Sequence, residues 1–219
     1  MNVLLINGTN LPLKHEIIDF FVNRPIIEYV ILLEGNNIIT QPLYPKVNSG
    51  VNSKVKIIFA DFLAKKQIFN TIKELFTNLK EVQLVLYVDN SLTNFEKDFY
   101  QLDILAFKNL INAEVVKKIF VFQALIITLK QYQLSSQFII LVPHTAQTRL
   151  INNNIKQNVL FSSLHMLTTS FADEFIDYNL YCNGVIDDEY VFKTLEWLLF
   201  EKKDKIQGKL FSNKQIIEW

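Results

Sequence analysis

Residues Phe138–Phe175 read FIILVPHTAQTRLINNNIKQNVLFSSLHMLTTSFADEF. Phe138 to Val142 is an unbroken apolar run closed by Pro143, the pattern of a strand covered on both faces. His144 to Gln157 is polar and rich in asparagine, which predicts a loop. Val159 to Phe175 predicts a helix. Strand, loop and helix in that order form the unit from which a parallel α/β sheet is built.

The same unit recurs on both sides. Upstream, Phe95 to Gln133 predicts helix over most of its length, in one piece or two. Its stretch Ile119–Leu129 is apolar nearly all round, so it must be covered on more than one side. Val82–Val88 predicts a strand with its turn at Asp89-Asn90-Ser91. Val55–Ala60 predicts another, followed by Asp61 and a helix with Phe62, Phe69, Ile72, Leu75, Phe76 and Leu79 on one stripe. Ile26–Leu33 and Asn2–Ile6 are the first two apolar runs in space-filling order, separated by a helix at His15–Val22 that Pro25 ends. Between Asn36 and Lys54 a regular unit has a helix. Pro42, Pro45 and Gly50 predict a loop there instead, with a short hairpin around Ile38–Tyr44.

Downstream, Leu180–Ile186 predicts a strand and Asp187–Lys203 a helix. Asp187, Asp188 and Glu189 in its first turn and Lys202 and Lys203 in its last complement the helix dipole. Lys209–Ser212 predicts a short last strand after Gly208. The sum is a doubly wound, Rossmann-like parallel sheet of six to seven strands in one domain spanning 1–219, with the helix after the second strand replaced by a loop. Ligands of such sheets bind beyond the carboxyl ends of the strands.

Composition narrows the function. The chain has 219 residues, 50% of them hydrophobic, enough for one large core. Lysine plus arginine and aspartate plus glutamate both number 22, so net charge offers no attraction to nucleic acid or an anionic membrane. The single cysteine, Cys182, excludes an internal disulfide framework and suits a reducing compartment, the cytoplasm. The N-terminal MNVLLINGTN lacks a basic segment and reads as a strand, not a signal peptide. No apolar run reaches the ~18–20 residues of a membrane span. Richness in asparagine, isoleucine and lysine gives the impression of an AT-rich bacterial genome.

The order and spacing of these segments, from the first turn Asn7-Gly8-Thr9-Asn10-Leu11-Pro12-Leu13-Lys14 to the terminal Gly208-Lys209-Leu210, resembles the short-chain dehydrogenase/reductase family over nearly the whole chain. The resemblance implies NAD(H) or NADP(H) as cofactor and a set of site positions, several of which carry other residues here. A first turn of the family type reads Thr-Gly-x-x-x-Gly-x-Gly. Only Gly8 matches it; Pro12 lacks an N–H and Lys14 puts a long chain where close backbone approach to a pyrophosphate is needed. Lys14 is either a phosphate contact or a solvated first-turn lysine.

Glu34 falls where members using NAD carry an acid for the ribose, and it reads equally as a turn residue. Asp61 falls on the adenine-contacting aspartate, though a helix N-cap also accounts for it. Asp89 lies in the turn that replaces Asn-Asn-Ala-Gly, and Tyr87 before it is expected to crowd the cofactor space. Asn112 falls on the helix asparagine that supports a proton-relay water, or satisfies a backbone group.

The serine position after the fifth strand falls on His144, and the Tyr-x-x-x-Lys pair falls on Gln157 and Phe161. Carbonyl reduction needs a proton donor of usable pKa, and glutamine and phenylalanine supply neither the proton nor its tuning. Asn183-Gly184-Val185-Ile186 runs straight into Asp187-Asp188, so the substrate lid of the family is absent.

No metal site is expected from three histidines and one cysteine. The expectation is therefore a non-catalytic relative with no cofactor, acting through association. The resemblance implies pairing through helices at 112–133 and 159–175, with Phe120, Phe122, Leu125, Phe161, Leu164, Met166 and Leu167 as its apolar surface, in a homodimer or in a heteromer with an active relative. The alternative is an NAD(P)-dependent oxidoreductase with a site rebuilt around Tyr87, Asn112 and His144.

Overall fold

The computed structural model describes residues 1–7, 15–35, 54–79, 82–88, 103–133, 135–143, 155–174, 180–201 and 206–217, with the backbone alone at 79, 110, 113, 114, 155–161, 164 and 180. Among the described residues, eight strands form one sheet in the order β3-β2-β1-β4-β5-β6-β7-β8. They are β1 (Asn2–Asn7), β2 (Tyr29–Gly35), β3 (Val55–Ala60), β4 (Leu84–Val88), β5 (Ser136–Pro143), β6 (Leu180–Asp187), β7 (Leu210–Ser212) and β8 (Gln215–Ile217). All neighbours pair in parallel except β7 and β8.

The last strand is one more than the sequence predicts. It folds back through Asn213 and Lys214, both left-handed at φ 46° and 64°, the backbone of a two-residue hairpin turn. Asn-Lys lacks the glycine that usually announces such a turn, which is why the pattern hid it.

Among the described residues there are six α-helices: α1 (His15–Val22), α2 (Lys65–Leu79), α3 (Ile104–Ile111), α4 (Lys117–Tyr132), α5 (Ile155–Glu174) and α6 (Val191–Glu196). Side chains alternate along each strand, so each face of the sheet has its own core. Leu4, Ile6, Ile31, Leu33, Val85, Tyr87 and Ile140 pack under α2 and α4 on one face. Val3, Leu5, Val30, Leu32, Leu84, Leu86 and Val88 pack under α1 and α6 on the other. The central strands β1 and β4 are buried along their whole length, as unbroken apolar runs require.

The long helical stretch is in two pieces. A π-helical turn, Asn112–Val116, joins α3 to α4. Asp103 caps α3, its Oδ1 accepting from the Leu105 and Ala106 amides. Along α4, Val121, Phe122, Ala124, Leu125, Thr128 and Leu129 are buried, because the helix packs on both the sheet and α2. That double cover explains its all-round apolar pattern.

Phe122 is the hub of the layer. Its ring stands 5.2 Å from Tyr87, 5.0 Å from Phe138 and 4.7 Å from Phe171, edge to face with each. These contacts tie α4 to β4, β5 and α5.

Three helix starts differ from the sequence reading. α5 begins at Ile155, four residues before Val159, so the polar stretch ends inside a helix. α6 begins at Val191, not Asp187. Asp187 ends β6, and Asp188 caps the turn by accepting from the Tyr190 amide at 2.8 Å and from the Ser212 hydroxyl. α2 begins at Lys65, so Asp61 is not its N-cap.

The C-terminal segment is anchored by Asn183, which donates to the Ile206 carbonyl and accepts from the Lys209 amide. Gly208, at φ 69°, lies so close that an added Cβ would stand 3.3 Å from the Ala172 Cβ. The predicted loop at 36–53 lies outside the described residues.

Candidate functional site

The order β3-β2-β1-β4 fixes where a ligand site forms. The chain leaves β1 toward β2 on one side and returns to β4 on the other, so the crossovers diverge above the carboxyl ends of β1 and β4. In register, Asn7 lies beside both Glu34 of β2 and Val88 of β4, and Glu34 lies beside Phe59 of β3.

Asn7 and Glu34 share a face of the sheet, the α1 and α6 side, as the alternation with Leu5 and Leu32 requires. Both are about as buried as the core, at 1% exposure. The Asn7 amide Nδ2 donates to Glu34 Oε2 at 2.7 Å. The carboxylate is thus engaged within the protein, a charge-assisted bond in a dry setting. Asn7 is absent from the sequence-level candidates. The signal that finds it is the register: two polar residues at matching ends of adjacent apolar strands, pointing the same way.

Asp61 sits one residue past β3, half-buried. Its Oδ1 accepts from the Leu63 amide at 2.9 Å and its carbonyl from the Ala64 amide, which closes a tight turn before α2. Asn112 opens the π-turn and is exposed. Gly8, Asp89 and His144 lie outside the described residues. Gln157 and Phe161 occupy the first two turns of α5, at a level set by its backbone.

Tyr87 departs from expectation. Its ring is wholly buried in the core between β4 and α4, edge to face with Phe122, rather than standing in a groove. The lid reading stands: β6 passes to α6 through Asp188–Tyr190 alone.

Two residues of the layer escape sequence reasoning. Lys117 and Lys118 open α4, and both are buried. Within a helix patterned by apolar residues, nothing in the local sequence marks these lysines as inward-facing. Cys182 lies in the core of β6, where burial pushes its thiol far above the usual range. Among the described residues no group of histidine, cysteine, aspartate and glutamate is placed to hold a metal ion. No described helix is long and apolar enough to cross a membrane.

No family model matches the sequence, and no curated protein matches it. Solved structures do match its fold. The NADPH-bound carbonyl reductase from chicken fatty liver superposes with a TM-score of 0.79 at 11% identity, over 99% of this chain and 94% of that one. A short chain dehydrogenase from Bacillus anthracis gives 0.75 at 12% identity, over 95% and 93%. A short chain dehydrogenase from Mycobacterium smegmatis gives 0.73 at 11% identity, over 95% and 90%. At such identity the likeness carries the architecture and leaves the chemistry to the side chains. From end to end, this chain has the fold of the short-chain dehydrogenases.

Proposed function

We propose that this chain is a non-catalytic protein of short-chain dehydrogenase fold that acts by association. The observation that carries the reading is the pair Gln157 and Phe161 on α5. They hold the positions that the resemblance assigns to the proton donor and the lysine that tunes it. An amide and a phenyl ring have no titratable proton to give. The three-residue passage from β6 to α6 adds that nothing there closes over a substrate.

Glu34, the acid a ribose would meet, is buried and takes its bond from Asn7. Pro12 and Lys14 replace the glycines of the first turn. These residues do not fit the cradle of NAD(H) or NADP(H). An NAD(P)-dependent oxidoreductase with a rebuilt site is the alternative, and it needs Glu34 to leave Asn7.

Association rests on α4 and α5. Phe122 and Leu125 are in the core, at 1% and 2% exposure, and a seam draws on other side chains of these helices. Ile127 on α4 and Met166 on α5 do face outward, at 49% and 62% exposure. Ser162, Met166 and Ser170 share one exposed stripe at i, i+4 and i+8, an apolar side chain flanked by two small residues that let another helix approach.

Light scattering behind size exclusion tests the reading. The wild type elutes as a dimer, and Ile127→Glu with Met166→Glu elutes as a folded monomer. A monomeric wild type leaves, as the surviving form of the reading, a heteromer with an intact relative. Turnover of NADH or NADPH with any carbonyl substrate removes the reading altogether.

A further inference from the structure

Among the described residues, Ile104 and Leu105 are the most exposed large apolar side chains, at 81% and 65%. They are neighbours in α3, Ile-Leu-Ala-Phe-Lys-Asn-Leu-Ile, which holds six apolar residues in eight and a single charge, Lys108. Among the described elements, only the π-turn packs closely against α3. A helix this apolar is ordinarily a covered one. Eight residues are also too few to hold a helix in water without packing, even with Asp103 as its cap. Exposed apolar surface of this kind marks a contact surface.

The apolar area of the association seam favours a second copy as the cover. Burying a large apolar side chain removes roughly 100 Å² from water, so Ile127 and Met166, each about half exposed, offer on the order of 100 Å² together. A stable dimer takes about 800 Å² from each partner, more than half of it apolar. Ile104 and Leu105 more than double what Ile127 and Met166 supply.

The surface of α3 is continuous with that seam. Leu105, Asn109, Asn112, Gln123, Ile127 and Gln131 are all exposed along one helical stretch. The π-turn in its middle packs against α5, the helix that carries Met166. Lys108 aside, the stretch from Ile104 to Ile111 has no charge to desolvate, and interface cores are depleted in charge. In a two-fold pair the same patch is used on both subunits, so each copy brings its α3 to the interface.

On the association reading above, we propose that α3 is the dimerisation arm of this chain, with Ile104 and Leu105 as its anchors against a second copy. The helix is held in the dimer and frays in the monomer.

The test is the dimer Kd of the full chain, from light scattering over a concentration series. Ile104→Glu with Leu105→Glu weakens the dimer by roughly 100-fold or more, since two apolar anchors are lost and two charges meet an apolar seam. Circular dichroism shows the variant folded, because both side chains are exposed. Ile216→Glu, an equally drastic change at an exposed apolar residue on β8, leaves Kd within about twofold of wild type. Hydrogen exchange gives a reading without any variant. The amides of 104–111 gain protection when the wild type is concentrated from well below Kd to well above it. A dimer that Ile104→Glu with Leu105→Glu leaves within about threefold of wild type, or exchange at 104–111 that ignores concentration, overturns the proposal and leaves the association reading standing. A wild type that stays monomeric throughout the series ends the homodimer form of that reading and the role of α3 together.

Discussion

Replacing Asn7 by alanine tests whether the buried pair at the end of β1 and β2 is built into the fold. The Asn7 amide donates to Glu34 at 2.7 Å with both residues at 1% exposure, so no water is at hand to replace it. A hydrogen bond to a charged group contributes about 1.5–3 kcal/mol, and losing the donor leaves a buried carboxylate less well served. The expected cost of Asn7→Ala is about 2 kcal/mol. For a domain of this size that is a fall of about 4–8 °C in melting temperature. Glu34→Gln keeps an acceptor oxygen of the same shape and removes the charge, so it weakens the bond without deleting it. Thermal unfolding of the two single variants and the double variant closes a cycle. The expected coupling is about 1 kcal/mol or more, since residues in direct contact do not add. A melting temperature for Asn7→Ala within 1 °C of wild type, or no coupling to Glu34→Gln, refutes the account of this pair and reopens Glu34 as a ribose ligand.

Phe122→Ala removes the ring that meets Tyr87, Phe138 and Phe171, and should lower stability by about 3–5 kcal/mol in urea unfolding. Phe122→Leu should lose well under half of that, because it keeps most of the apolar volume. Cys182 should resist a thiol reagent at pH 8 in the native chain and react fully in denaturant, since burial holds it protonated. The same shift has a pH consequence. The folded thiol keeps its proton where the unfolded one, with its ordinary value of 9.0, releases it. Stability from this group is therefore whole below pH 9 and declines above it, and Cys182→Ala should flatten that alkaline decline.

The sheet was legible because its strands are buried on both faces. Runs such as Val3–Ile6 and Leu84–Val88 carry no competing helical period, and their ends were placed within a residue or two. Helix starts were read less well. Polar residues before an apolar face, as at His144–Gln157 and Asp187–Glu189, fit either a first turn or the loop ahead of it. Here Ile155–Gln157 joined the helix and Asp187–Glu189 did not. The site was half legible. The positions that the resemblance assigns to the reactive groups could be counted off along the chain. Which polar side chains turned inward could not, because the facing of Lys118 depends on a π-turn and that of Asn7 on the register of β1 with β2.

Fold and chemistry in a sheet of this kind depend on different atoms. The apolar layers under α2 and α4 and under α1 and α6 meet along whole strands, and burial of each large side chain contributes roughly 1.5–3 kcal/mol. A catalytic tyrosine or lysine at the open end of the sheet adds little to that sum, so glutamine and phenylalanine can replace them without unfolding the chain. Polar groups at the same end behave differently once they are enclosed. Asn7 and Glu34 are both buried at strand ends, and they meet each other there, since a buried polar group needs a partner. Drift alone favours their loss to apolar residues of similar size. Their pairing at the end of β1 and β2 is what the Asn7→Ala and Glu34→Gln variants probe: a pair built into the fold loses stability when either partner is changed.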